Sequence, residues 1–145
     1  MAIICTLSNH WRYQLGAKAV DIANDTFKAI LMDDTFVFDK DTHATLADVT
    51  ASPSTELPTG NGYTRQNKTL SGGSWAENDT SDKGVRTFDN ISWTASGGAI
   101  GPIGSLVIYD DTTSDDTVVG CIDFGTDYTI PEGSTFQVQA PAIEI

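Results

Sequence analysis

Residues 105–125, SLVIYDDTTSDDTVVGCIDFG, decide the fold. Leu106, Val107, Ile108 and Tyr109 form one apolar run, and Val118, Val119, Cys121, Ile122 and Phe124 form another. The acidic, threonine-rich loop between them cannot continue either strand, so the stretch reads as a β-hairpin buried at the centre of a sheet.

Strand signals recur outward from that hairpin. On its C-terminal side, residues 134–140 form a further strand, and the apolar ending APAIEI at 140–145 predicts either a last edge strand or a tail docked on a neighbour. On its N-terminal side, residues 96–104 (SGGAIGPIG) form a glycine-rich connection. Its Ile100 and Ile103 are too apolar for a solvated linker, so it either folds onto the core or contacts a partner. Strands are expected at 85–88 and 91–94, with a polar loop at 77–83 and a strand broken by Gly72 and Gly73 at 70–75. Residues 51–62 are dense in turn formers and make the longest irregular stretch.

Nearer the start, DTFKAILM at 25–32 alternates as a strand and residues 2–7 form a shorter one. Ser8 or Asn9 caps a brief helix through Trp11 and Leu15 that ends at Gly16, and Asp41 or Thr42 caps a second that buries Leu46 and Val49. Short strands, Gly, Asp and Asn punctuation and very little helical period predict one all-β domain over residues 1–145. The expected architecture is an antiparallel β-sandwich or barrel, jelly-roll-like, with one or two short helices.

Charge narrows the partners. Eight basic against 20 acidic residues give the 145-residue chain a net charge of -12, which repels phosphate backbones and anionic headgroups beyond about 8 Å of screening. Nucleic acid and membrane are therefore not expected as partners, and self-association needs a shaped, apolar contact. Residues 1–7 lack the basic start and the length of a signal peptide, and no apolar run is long enough to span a bilayer, so synthesis in a reducing cytoplasm is expected. Cys5 and Cys121 accordingly read as two buried free thiols.

The residues give little support to catalysis. The sequence has no G-x-S-x-G elbow, P-loop, H-E-x-x-H or Cys-x-x-Cys. His10 and His43 read as surface or capping residues, and nothing local activates Cys121 toward His43. Carboxylates cluster at Asp39/Asp41, Asp110/Asp111 and Asp115/Asp116. The Asp39-x-Asp41-x-His43 start fails as a calcium loop, with Ala44 at the glycine position and Thr50 at the glutamate position. The expectation is a non-enzyme with no metal and no cofactor. Trp11, Trp75 and Trp93 keep a carbohydrate-binding module open as an alternative, although the alternating neighbours of Trp93 favour the core.

The order of several blocks resembles a family of small virion structural proteins of tailed bacteriophages. DTFKAILM at 25–32 is similar to the family's opening "D-T-hydrophobic-K-V-A-L-hydrophobic" strand. GNGYTRQNKTL at 60–70 resembles its "G-x-G-Y-T-x-x-G-K-x-L" block, with Asn67 at the usual glycine. Residues 89–94, 106–111 and 120–125 resemble its "V-x-W", "A-V-I-Y-D-D" and "A-Y-I-D-F-G" blocks, ahead of a G-x-F-x-V strand at 133–138.

That resemblance implies a capsid decoration or cement protein, made in the host cytoplasm and carried on the capsid surface of the virion. Such a protein binds the major capsid protein as a homo-oligomer, commonly a trimer. A tail, neck or fibre-adaptor protein is the alternative within the family. Ile100, Ile103, Ile143 and Ile145 are the expected interface anchors, with the acidic loops facing solvent.

Overall fold

The structure, a computed structural model, describes residues 3–51 and 55–145. The Ala2 end of the first expected strand and residues 52–54 of the irregular stretch lie outside the described residues. The fold is all-β and sandwich-like. Its centre is the expected hairpin, formed by β8 (Ile100–Asp110) and β9 (Val118–Ile130). β8 pairs with β3 (Phe27–Met32), which carries β4 (Lys68–Thr69) at its far edge, and β9 pairs with β2 (Thr6–Leu7). The resulting five-stranded sheet runs β2-β9-β8-β3-β4.

Period-two alternation gives this sheet two apolar faces. Phe27, Ala29, Leu31, Leu106, Ile108, Val119 and Ile122 enter the main core. There they meet a four-stranded sheet, in the order β1 (Ile3–Ile4), β11 (Pro141–Glu144), β6 (Lys83–Thr87) and β5 (Trp75–Asn78), and a two-stranded one of β10 (Thr135–Val138) and β7 (Ile91–Thr94). Ile30, Met32, Val107, Tyr109, Val118 and Cys121 point to the opposite face, where Leu46 and Val49 of α2 (Leu46–Thr50) cover them together with Phe36 and Phe38.

Both helices form where capping chemistry allows. Ser8 caps α1 (Asn9–Gly16): its Oγ accepts the Trp11 N–H at 3.0 Å and donates to Val118 O at 2.6 Å. Trp11 is thereby driven into the core, edge-on to Phe27 at 5.8 Å. For α2 the cap lies a few residues beyond the expected Asp41 or Thr42. Thr45 caps it, and the Asp48 carboxylate accepts the Thr45 N–H at 2.8 Å.

Several segments differ from the sequence-based expectation: residues 70–74, expected as part of a broken strand, are irregular, and the strand expected at 2–7 divides into β1 and β2, which join different sheets. The glycine-rich connection is strand from Ile100 onward, because β9 continues to Ile130 and supplies it with a partner. The polar loop expected at 77–83 is shorter, since residues 75–78 form an exposed edge strand paired to β6. Finally, β11 is neither an edge nor a tail. It lies between β1, in parallel, and β6, antiparallel, because Ala142 and Ile143 belong to the buried interior.

Candidate interaction surface

Three of the four expected anchors do not face outward. Ile100, Ile103 and Ile143 are all buried in the main core. Their apolar area is already removed from water within this chain, at about 1.5–3 kcal/mol each, and none is on offer to a partner. Ile145 alone is exposed, and its backbone exchanges two hydrogen bonds with Gly84.

The tryptophans are similarly redistributed. Trp11 is fully enclosed, and Trp93 is 4% exposed with the Lys68 ammonium 5.2 Å from its ring centre. Neither presents a ring face for a sugar. Trp75 is half-exposed at the outer strand of its sheet, lying over Gly84, where a Cβ would meet its ring.

The titratable groups are tied into local structure. His10 Nε2 lies 2.9 Å from Asp115, whose other carboxylate oxygen accepts the Thr117 hydroxyl, so this chain fastens α1 to the hairpin loop. His43 Nδ1 accepts the Asp39 N–H at 3.0 Å, and its ring stacks on Phe36 at 5.3 Å. Burial pushes the Cys121 thiol up to about 12, against a smaller lowering by Ser105. Cys5 is raised as well, first by burial and then by Cys121, and both cysteines are free. Tyr63 is likewise raised by burial; its hydroxyl donates to Glu56 and accepts the Leu31 N–H, pinning the 56–66 segment to β3.

Asp110, at the mouth of the hairpin, has no exposure to solvent. Burial first, opposed by the Thr112 N–H and reinforced by the facing Asp25 carboxyl, pushes it up to about 7. Among the described residues no group of three or more His, Cys, Asp or Glu is placed to hold a metal ion.

Exposed large apolar side chains are scattered at Tyr13, Val37, Trp75, Tyr128 and Ile145, and the most exposed of them, Val37, lies on the segment joining β3 to α2. Asp33 opens it with a turn: its Oδ1 accepts the Thr35 N–H at 2.9 Å and its carbonyl accepts the Phe36 N–H at 3.3 Å. The chain then continues through Phe36, Val37 and Phe38 outside any strand or helix. Phe36 and Phe38 pack onto the second core, and both rings contact His43. Val37, between them, is turned outward and left 80% exposed.

Both ends of this segment are held. Asp33 N–H donates to Thr55 O at 2.7 Å, and Lys40 O accepts the Asn9 N–H at 2.9 Å. Gly104 lets the Asp33–Asp34 backbone lie directly on β8, since a Cβ there would stand about 3.0 Å from Asp33 O.

Val37 lies between two open clefts. One, of about 200 Å³, is walled by Phe36, Phe38, Thr6 and Cys121; the other, of about 400 Å³, is bounded by Asp34, Gly104 and residues 125–127. Ser105 and Asp123 line both. Next to residues 125–127 in the chain, the half-buried Phe124 and the exposed Tyr128 pack on Phe136 at 5.5 and 5.7 Å, and Phe136 in turn stacks on Trp93 at 6.2 Å. Phe124 and Phe136 pack on the main core and Phe36 and Phe38 on the second, so Val37 and the Phe124–Tyr128 cluster are two separate exposed apolar features, each of a kind suited to contact with another macromolecule.

Residues 36–38 are not singled out in the sequence, which gives no sign of Asp34, Asp123 and Asp127 as neighbours. The alternation of two phenylalanines about a valine is the one local signal. Comparison with family models, with curated proteins and with solved structures returns no match for this chain.

Proposed function

We propose that this chain works by contact: a virion structural protein of a tailed bacteriophage, most simply a capsid decoration or cement protein that binds the major capsid protein and stabilises the shell as a homo-oligomer. The observation that carries the contact reading is Val37, 80% exposed on a segment fixed at both ends and flanked by two clefts. A projection already held at both ends loses less conformational entropy on docking than a free loop would. The virion assignment adds the resemblance in block order, the all-β fold and the net charge of -12, which keeps free copies apart until a shaped site is offered.

The anchors of that contact are reassigned from Ile100, Ile103 and Ile143 to Val37 and the Phe124–Tyr128 region, with Ile145 retained. Mass spectrometry and a cryo-electron reconstruction of purified tailed particles test the reading. The expected result is density for this chain at repeated positions on the head. Density at the tail or neck selects the adaptor role instead, and absence of the chain from particles overturns the virion assignment.

A further inference from the structure

We infer that the two clefts beside Val37 form one docking site for a segment of a different protein that presents an apolar side chain next to a lysine or arginine. The inference rests on the contact reading above and specifies the chemistry of the partner.

The walls set the first requirement. Phe36, Val37 and Phe38 offer apolar surface on both sides of a ridge, and an aliphatic or aromatic side chain placed in either cleft covers Val37. The rim sets the second. Asp34, Asp123 and Asp127 are all exposed there, and no lysine or arginine is among the described residues lining either cleft. Three carboxylates with no lysine or arginine beside them among the described residues favour a cationic side chain at the same place, and the excess of acidic residues over the whole chain acts in the same direction at longer range. Ser105 Oγ, between the clefts, is closed to solvent and lies against the Cys121 thiol, so the chemistry open to a partner is that of the walls and the rim.

The same electrostatics argue against a second copy as the occupant. A symmetric contact through this face would bring two sets of the three aspartates together, and like charges facing each other across an interface oppose association. A basic, apolar-tipped segment of another chain meets both requirements at once.

The test uses fluorescence anisotropy with the full-length chain at about 0.15 M salt and three short labelled peptides. One alternates lysine with leucine, one glutamate with leucine, and one lysine with serine. The lysine–leucine peptide should bind at least about tenfold more tightly than either of the others. The triple variant Asp34→Asn, Asp123→Asn, Asp127→Asn should weaken it by about tenfold, and Val37→Ser by about fivefold.

The variant Glu77→Gln, Asp79→Asn, Asp82→Asn removes as much charge from the β5–β6 hairpin and should leave binding within about twofold. Circular dichroism melts confirm that each variant is folded. Three results overturn the inference: no preference for the lysine–leucine peptide, equal weakening by the two triple variants, or a dimer in sedimentation that Val37→Ser dissolves. Location of the chain in particles is measured separately. A chain found on the head with the wrong peptide preference removes only the partner chemistry, and the right preference in a chain absent from particles removes only the virion assignment.

Discussion

Between residues 105–110 and 118–122, the central hairpin has β3 on one side, β2 on the other and a core on each face. In the remainder, residues 100–104 and 123–130, the same two strands run beyond β3 and β2. The ladder slips between Ile100 and Ile103 and again between Ile103 and Ser105, against a single shift in the inner half, between Ile108 and Tyr109. On the β9 side most of these residues face water. The inner half is fixed because neighbours on both edges and both faces specify its register. The outer half keeps Ile100 and Ile103 in the core and releases its other strand to carry Asp123, Phe124, Asp127 and Tyr128 at the surface. One pair of strands thus serves as scaffold at one end and as presenting surface at the other.

The largest test of that contrast is a truncation in each half. Leu106→Ala, in the inner half, should lose about 2–5 kcal/mol of stability, because a fully buried leucine leaves a cavity that close neighbours cannot fill. Tyr128→Ala, on the exposed side of the outer half, should lose about 1 kcal/mol or less. Urea denaturation with a common m-value measures both. Equal losses would mean that the outer half is as much core as the inner, and the contrast would not stand. Ile103→Ala sharpens the boundary: Ile103 is fully buried, and its cost should match Leu106→Ala even though it lies beyond the register shift.

Next in size is a pH dependence at the mouth of the inner half. The Asp110 carboxyl, pushed up to about 7 by burial and by Asp25, holds its proton more tightly folded than unfolded. Stability should therefore fall as pH rises from the ordinary carboxylate range to about 7 and level off above it, with a slope of up to about 1.4 kcal/mol per pH unit. Asp110→Asn keeps a neutral side chain of the same shape and should flatten that slope. Denaturation midpoints from about pH 5 to about pH 8 decide the point. An unchanged slope in the variant would place the proton elsewhere.

A smaller effect belongs to the cover over the second face. The Asp48 carboxylate accepts the Thr45 N–H and hydroxyl at 2.8 and 3.0 Å and the Ala44 N–H at 3.2 Å, which starts α2 above Val107 and Cys121. Burial would raise this carboxyl, but those donors together with His43 hold it below the usual range. Asp48→Ala should cost about 1 kcal/mol at neutral pH. Part of that difference should vanish as acid protonates the native carboxylate, since a lowered value contributes stability that is lost as pH falls.

The same contrast marks what could be read from the chain. The inner half was legible: Leu106 to Tyr109 and Val118 to Ile122 are continuous apolar runs because both of their faces are buried, and α1 starts at the Ser8 cap and ends at Gly16, with Ala17 rather than the glycine at its C-cap. The outer half was not, because Gly101, Pro102 and Gly104 carry the composition of a loop while occupying a strand that β9 extends to meet. The apolar ending at 141–144 looked like an edge or an anchor, since local pattern does not show that β1 pairs on one side and β6 on the other. For Ile100 and Ile103 local pattern leaves both core and partner contact open, and burial decides for the core, while Ile143, an expected anchor, is buried as well. Burial depends on what the rest of the chain lays over a residue, and no window of neighbours contains that.

Val37 gives the smallest expected change in stability and the sharpest test of the contrast. Phe36 and Phe38 anchor the segment from either side, and the side chain between them contributes almost nothing to the interior. Val37→Ser should therefore leave the denaturation midpoint within about 0.5 kcal/mol of the parent. Replacing an exposed isopropyl group by a hydroxymethyl removes apolar area that only a partner could bury, so whatever is lost must appear in binding. Phe38→Ala is the matched control, because its half-buried ring packs on the second core and His43. Its removal should lower stability and binding together, by loosening the segment that holds Val37 in place. A Val37→Ser variant that melts early would show that the ridge is part of the fold, and the separation between scaffold and presented surface would fail at the residue where it is most exposed.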